Sequence, residues 1–223
     1  MVKTETLHVK NSELTASGLV PLNVEKKEFN MLMSLYQRAQ IDILDKLGAL
    51  QEYFNNKYNY EVINHISSRI KTPTSIINKM KKKNYELNYK NLIEYINDIA
   101  GIRVVCTFQD DVFRVRDIIK SMPNTRVIKE KDYITNPKKS GYMGYHMVIE
   151  TMIQYEEDII PIKVEIQIRT LAMDFWASAE HKMKYKTKAK LSNKDSKKLA
   201  WYAKIINKID ESMMRIYQKQ MAK

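Results

Sequence analysis

Val164-Glu-Ile-Gln-Ile-Arg169 is the stretch whose reading decides how this chain is built. Apolar and polar residues alternate along it with the period of a β-strand. Val164, Ile166 and Ile168 share one face, and Glu165, Gln167 and Arg169 share the other. Working outward, Ile99 to Phe108 reads as a buried strand rich in β-branched residues. Thr125 to Lys129 reads as a short strand. His146–Ile153 and Ile162–Arg169 form a further pair joined through Glu156, Glu157 and Asp158. Helical patterns lie between and around these strands. Phe29, Leu32, Tyr36, Ala39, Ile43, Leu47, Leu50 and Phe54 recur every three or four residues along one long helix. Leu87 to Asn97 predicts a short helix, Asp110 is placed to cap a helix running to Ile119, and Leu171 to Lys184 is again helical. After a polar link at 186–196, Leu199, Tyr202, Ile206, Ile209, Met213 and Ile216 follow heptad spacing. Helices interrupted by short apolar strands indicate an α+β or α/β domain over 26–220. Residues 1–25, punctuated by Gly18 and Pro21, read as a loose N-terminal arm.

Two places carry chemistry. In Ser67-Ser-Arg-Ile-Lys-Thr-Pro-Thr-Ser-Ile-Ile-Asn-Lys79 an extended segment enters a helix, with Thr72 as N-cap and Pro73 as first helical residue. Ser75, Lys79 and Lys82 fall on one helical face, with Arg69 and Lys71 just before the start. Cations beside free backbone N–H groups make a phosphate site; a capped surface helix with solvated lysines is an equally good account. The second place is the Glu165-Gln167-Arg169 face, either the wet side of a sheet or the floor of a site. If the strand following Asp98 neighbours this one, Asp98 and Glu165 could jointly hold Mg²⁺, an ion that takes oxygen ligands and keeps waters. Arg69, Lys71, Lys79, Arg103, Lys131 and Lys138 could neutralise a triphosphate. Tyr142, between glycine-bounded turns, is either a stacking surface for a base or a hydrogen-bonded loop tyrosine. There is no Walker A loop and no kinase-type glycine loop, and the four histidines with Cys106 make no zinc spacing.

The formal net charge of +12 at pH 7 points to polyanionic partners: phosphate-rich nucleotides, RNA or anionic lipid. Cys106, alone and within an apolar run, reads as an inert core thiol. The first residues carry no apolar signal region and no run is long enough to cross a bilayer, so the expectation is a soluble, cytoplasmic protein without membrane association.

Several motifs in order resemble one family. They are Arg69-Ile-Lys71 with Ser75 and Lys79, Asp98-Ile-Ala-Gly-Ile-Arg103, Asp132-Tyr-Ile, Ser140-Gly-Tyr142 with His146, Glu165-Ile-Gln-Ile-Arg-Thr170, and Ala172-Met-Asp-Phe-Trp-Ala-Ser-Ala-Glu-His181. Together, over roughly residues 28–215, they resemble the small alarmone synthetases, single-domain members of the bacterial stringent-response family. The resemblance implies a mixed β-sheet flanked by long N- and C-terminal helices, akin to nucleotidyltransferases. It implies transfer of the β,γ-pyrophosphoryl group of ATP to the 3′-hydroxyl of GDP or GTP, without hydrolase activity. In this family pattern Arg69 and Arg103 would hold the adenine, while Lys71, Ser75, Lys79 and Lys82 would serve the ATP phosphates. Asp98 would bind Mg²⁺, and Glu165 would act as general base and second Mg²⁺ ligand. Tyr142 would stack on guanine. Lys131, Lys138 and His146 would position phosphates, with Gln167 and Asp174 supporting the acceptor. A homotetramer held by terminal helices is implied, and single-stranded RNA is a further partner class.

The sequence departs from the family's Gly-Tyr-Arg-Ser-Tyr-His segment, reading Gly141-Tyr-Met-Gly-Tyr-His146. Met143 removes a cation and Gly144 a hydroxyl, which leaves open a different acceptor, such as an adenine nucleotide. His65 stands where one branch of the family carries an aromatic residue at an allosteric cleft, so activation by the product is not expected. A non-catalytic nucleotide- or RNA-binding regulator is the alternative outside enzymology.

Overall fold

The computed structural model describes residues 21–58, 60–185 and 191–221. The strands β1 (Ile63–Ile70), β2 (Ala100–Cys106), β3 (Thr125–Asp132), β4 (Tyr145–Tyr155) and β5 (Asp158–Thr170) form one sheet in the order β1-β2-β5-β4-β3. β2 and β5 run parallel, and the other pairs are antiparallel. The sheet is thus mixed, and it is flanked by helices, as the motifs implied. β4 and β5 form a hairpin in which Tyr155 pairs with Asp158 across Glu156 and Glu157, and Glu156 takes a φ of 52° to close it.

The long helix α1 (Lys27–Lys57) lies across the apolar face of the sheet, touching β1, β2, β4 and β5. At 1.5 Å per residue it runs about 46 Å. Each of the eight residues expected on its apolar stripe is buried, from Phe29 to Phe54. Those side chains meet Ile102, Val104, Val164, Ile166 and Ile168, the apolar half of each strand's alternation. Gln40 on the same helix donates to the backbone carbonyls of Arg69 (2.8 Å) and Gly101 (3.1 Å), tying α1 to two strands. The opposite face of the sheet is left for polar residues.

The remaining helices complete the packing, those between Pro73 and Ser121 adding Ile76, Met80, Leu92, Val112, Val115 and Ile119 to the same apolar core. α2 (Pro73–Lys82) begins with Pro73 in its first turn and Thr72 as N-cap, its hydroxyl accepting from the Ser75 N–H at 3.3 Å. α3 (Tyr89–Tyr95) is capped by Asn88. α4 (Gln109–Ser121) starts two residues earlier than a cap at Asp110 would put it, with Phe108 at the N-cap. Asp111, not Asp110, accepts from the first backbone N–H, that of Phe108, at 3.1 Å, because its third-position carboxylate can fold back over the helix start. α5 (Leu171–Tyr185) and α6 (Asn193–Met221) pack on each other and build a second small core from Trp176, Ala177 and Ala203. Cys106 is fully buried and its thiol pKa is raised by burial, so it is the inert core thiol expected.

The 199–216 stripe divides. Leu199 and Ile206 pack with Ala203 against Trp176, while Tyr202, Ile209, Met213 and Ile216 are exposed. Asp210 turns inward with the first set because Thr170 (2.8 Å) and Gln109 (3.4 Å) donate to its carboxylate. One expectation needs correcting: Asp98 does not begin a strand; it lies in the link before β2, which starts at Ala100. The arm expected over 1–25 falls mostly outside the described residues. Within it, Pro21 forms an isolated bridge with Asn88.

Candidate active site

The register places a line of polar residues across all five strands. Ser67 faces Arg103, Arg103 faces Gln167, Gln167 faces His146, and His146 faces Lys131. The neighbouring line runs Arg69, Gly101, Glu165, Val148. Both lines lie on the face opposite α1, so period-two alternation has turned five separate stretches into one floor. A cleft opens on it, lined by Ser67, Arg69, Asp98, Arg103, Glu165 and Gln167 among others. Gly101 lies between Arg69 and Glu165 and adds no side chain to the space. A Cβ built there would come no nearer than 3.8 Å to Arg69.

One end of the cleft is cationic. Asp98 receives Lys71 at 2.9 Å and Lys79 at 2.7 Å. Burial opposes its ionisation, yet the two ammonium groups outweigh that and hold its carboxyl below the ordinary range. Lys71 reaches Asp98 because its N–H donates to Ile99 O at 2.8 Å, and Lys79 reaches it from the second turn of α2. Ser75 and Lys82, on the same helical face, are not brought into the cleft. The Ser75 hydroxyl accepts from Thr72 at 2.8 Å within the cap, and Lys82 is exposed at the helix end.

The other end is a hydrogen-bonded network. Gln167 Nε2 donates to Glu165 Oε2 at 2.9 Å. Arg169 donates to Gln167 Oε1 (2.7 Å), to Tyr142 Oη (2.8 Å) and to Asp174 Oδ1 (3.1 Å). Arg103 pairs with the same Asp174 oxygen at 3.3 Å, so one carboxylate braces two guanidinium groups. Tyr142 Oη is in close contact with His146 Nε2, and His146 Nδ1 faces Glu165 Oε1 at 4.0 Å. Burial, with Arg169, Lys138, Lys131 and Arg103 nearby, pushes the His146 pKa down to about 3, so its ring is neutral at ordinary pH. Lys138 lies over the Tyr142 ring at 4.6 Å and Lys131 over Tyr133 at 6.0 Å. Tyr142 is therefore a hydrogen-bonded loop tyrosine that also keeps a ring face under a movable lysine.

Sequence reasoning placed Arg169 on the polar face but gave it no task, and it gave none to Ser67, Gly101 or Tyr133. The period-two pattern of Glu165, Gln167 and Arg169 was the available signal for Arg169. Gly101 and Tyr133 fell inside family motifs without a role, and nothing local marked Ser67. Met143 is buried among Met173, Trp176 and Ala203 and does not line the cleft, so its departure from the family segment alters helix packing. Gly144, at φ +148°, has Arg169 Cγ at 3.2 Å and Tyr142 Oη at 3.3 Å from a built Cβ; a serine there would crowd the network.

The two carboxylates suit Mg²⁺. Asp98 and Glu165 line one cleft, Asp98 is held ionised, and Mg²⁺ typically takes one or two protein carboxylates with phosphate oxygens and water completing its shell. Among the described residues no group of three or more His, Cys, Asp or Glu gathers into an all-protein metal cage.

A mixed sheet with an ionised Asp98, guanidiniums braced on Asp174 and lysines on one polar face fits a nucleotide-binding phosphoryl- or pyrophosphoryl-transfer protein. The chain belongs to the RelA/SpoT family: the model described as "Region found in RelA / SpoT proteins" matches residues 68–190. GTP pyrophosphokinase YwaC of Bacillus subtilis is 35% identical over 92% of this chain and 97% of its own length. GTP pyrophosphokinase YjbM of the same organism is 31% identical over 86% and 90%. The crystal structure of small alarmone synthetase 1 from Bacillus subtilis bound to its product pppGpp superposes with a TM-score of 0.79 at 31% identity, covering 87% of this chain and 98% of that one. Small alarmone synthetase 2 gives 0.78 at 34%, covering 86% and 100%. No helix among the described residues is long and apolar enough to cross a membrane.

Proposed function

We propose that the chain is an ATP-dependent GTP/GDP pyrophosphokinase that makes ppGpp or pppGpp and AMP in the cytoplasm. The observation that carries this reading is Glu165 in one cleft with Asp98 and the Arg69–Arg103 pair, on a chain matched over nearly its whole length by GTP pyrophosphokinases. The 3′-oxygen of GDP or GTP attacks the β-phosphorus of ATP. The bond from that phosphorus to the α–β bridging oxygen breaks and AMP leaves. Glu165 takes the 3′-hydroxyl proton, its carboxylate oriented by the Gln167 amide. Arg69 and Arg103 flank the adenine above the gap at Gly101. Lys71 and Lys79 turn from Asp98 to the ATP phosphates as substrate binds, each keeping an anionic partner. Mg²⁺ held by Asp98 and Glu165 would supply neutralisation of polyphosphate charge. On the acceptor side, guanine displaces Lys138 from the Tyr142 ring, and the freed ammonium joins Lys131 at the acceptor's phosphates. Ser75 and Lys82 are left outside this scheme.

Glu165→Gln preserves size and removes the charge. With ATP, Mg²⁺ and either GDP or GTP, its turnover should drop by about 100-fold or more while its circular dichroism matches the parent. Turnover within roughly threefold of the parent would take Glu165 out of the base role. The same assay run with ADP and other nucleotides settles the acceptor, for which guanine is expected to be preferred.

A further inference from the structure

We infer that Arg169 is a positioning residue that orients the two side chains facing Glu165, setting the tautomer of His146 and the amide orientation of Gln167. This deepens the reading of Glu165 as the base, and its test can be read without turnover.

The argument follows from what each group is able to donate. A guanidinium has only donors. Arg169 is almost fully buried, with 7% of its side chain exposed, and is held by Asp174 through Nη1, so its orientation is set. Its Nη2 donates to Tyr142 Oη and to Gln167 Oε1. Gln167 must then turn its oxygen to Arg169 and its NH₂ to Glu165, which is the 2.9 Å contact observed. Tyr142 has one proton. Because its oxygen accepts from Arg169, that proton goes to the close neighbour His146 Nε2. A neutral imidazole that accepts at Nε2 carries its hydrogen on Nδ1, and Nδ1 faces Glu165 Oε1. Two branches leave one guanidinium nitrogen: one ends in the Gln167 N–H bonded to Glu165 Oε2, the other in a His146 Nδ1–H that faces Oε1 from 4.0 Å, beyond direct hydrogen-bond reach. A residue able both to donate and to accept at position 169 would let either branch reverse, presenting an acceptor lone pair to Glu165. The carboxylate would then lose its fixed orientation towards the acceptor hydroxyl.

The test is the imidazole ¹⁵N spectrum of the ligand-free protein labelled at histidine, near pH 7. The chain has four histidines, and His146→Gln identifies the signal of interest. The parent should show His146 as the Nδ1–H tautomer. Arg169→Lys, still donor-only, should keep it. Arg169→Gln, which can accept as well as donate, should convert it to a mixture, as should Tyr142→Phe, which cuts that branch with Arg169 in place. An Nε2–H tautomer in the parent overturns the inference whatever the variants do, and so does an unchanged Nδ1–H tautomer in folded Arg169→Gln. In turnover, Arg169→Gln should lower kcat roughly tenfold to a hundredfold, with KM for the guanine nucleotide within about threefold. A loss confined to KM also counts against it. A parent with no turnover but the Nδ1–H tautomer would refute the proposed activity and leave the role of Arg169 standing.

Discussion

Gly101 shows how much a missing side chain can decide. It lies opposite Arg69 on one side and Glu165 on the other, on the floor of the cleft. A side chain there meets only ordinary contacts, so Gly101→Val should fold, with a melting temperature close to the parent's. It should nevertheless fill the slot between Arg69 and Arg103, raising KM for ATP about tenfold while leaving acceptor affinity unchanged, a loss of about 1.4 kcal/mol in donor binding. Calorimetric titration of each nucleotide separately would check this, and equal weakening of both would place the adenine elsewhere. At this scale the sequence was readable where chemistry followed period. Glu165 and Gln167 were legible as one face because alternation along their strand puts them there, whereas Arg103 was reached through its charge and the family motif. The two lysine partners of Asp98 were not, since Lys71 and Lys79 converge through a turn and a helix start. Nor was the contact between Arg169 and Tyr142, which joins residues far apart in the chain.

Among the elements, α1 was legible almost residue by residue because a long stripe on one face has one way to be buried. β3 was expected to end at Lys129 and runs to Asp132; its last residues are polar and exposed, so no hydrophobic alternation marks them, and only pairing with β4 keeps them extended. α6 was legible as a helix with an apolar stripe; the inward turn of Asp210 was not, because it rests on donors from Thr170 and Gln109 on other elements. Asp210 carries a testable pH dependence. Burial raises its pKa above the ordinary 3.8, with donors from Thr170 and Gln109 only partly offsetting this. The folded protein therefore holds this proton more tightly than the unfolded chain does. The contribution is full below pH 3.8 and is lost as pH rises through the folded value. Asp210→Asn keeps the acceptor for Thr170 without the charge. Its stability relative to the parent should improve as pH rises towards neutrality, read by urea denaturation across that range. A difference that stays constant with pH would show that Asp210 titrates normally in the fold.

For the molecule as a whole, the exposed side of α6 matters most. Ile209 and Met213 are 53% and 60% exposed, with Tyr202 and Ile216 beside them. A contiguous apolar stripe on a stable helix marks an interface, and a homotetramer joined there is the proposed assembly. Ile206 packs inside the subunit against Trp176 and is not on that exposed side. Ile209→Asp with Met213→Asp should yield a folded, smaller species by light scattering on a sizing column. A parent that is already monomeric at micromolar concentration would remove the assembly. The central claim is the reaction itself, and phosphorus NMR of the parent with ATP, GDP and Mg²⁺ tests it most directly. The account predicts AMP and a guanosine nucleotide bearing a new 3′-pyrophosphate, formed in equal amounts with no accumulation of ADP. Phosphate transfer giving ADP, or intact nucleotides after prolonged incubation of folded protein that binds RNA tightly, would contradict it.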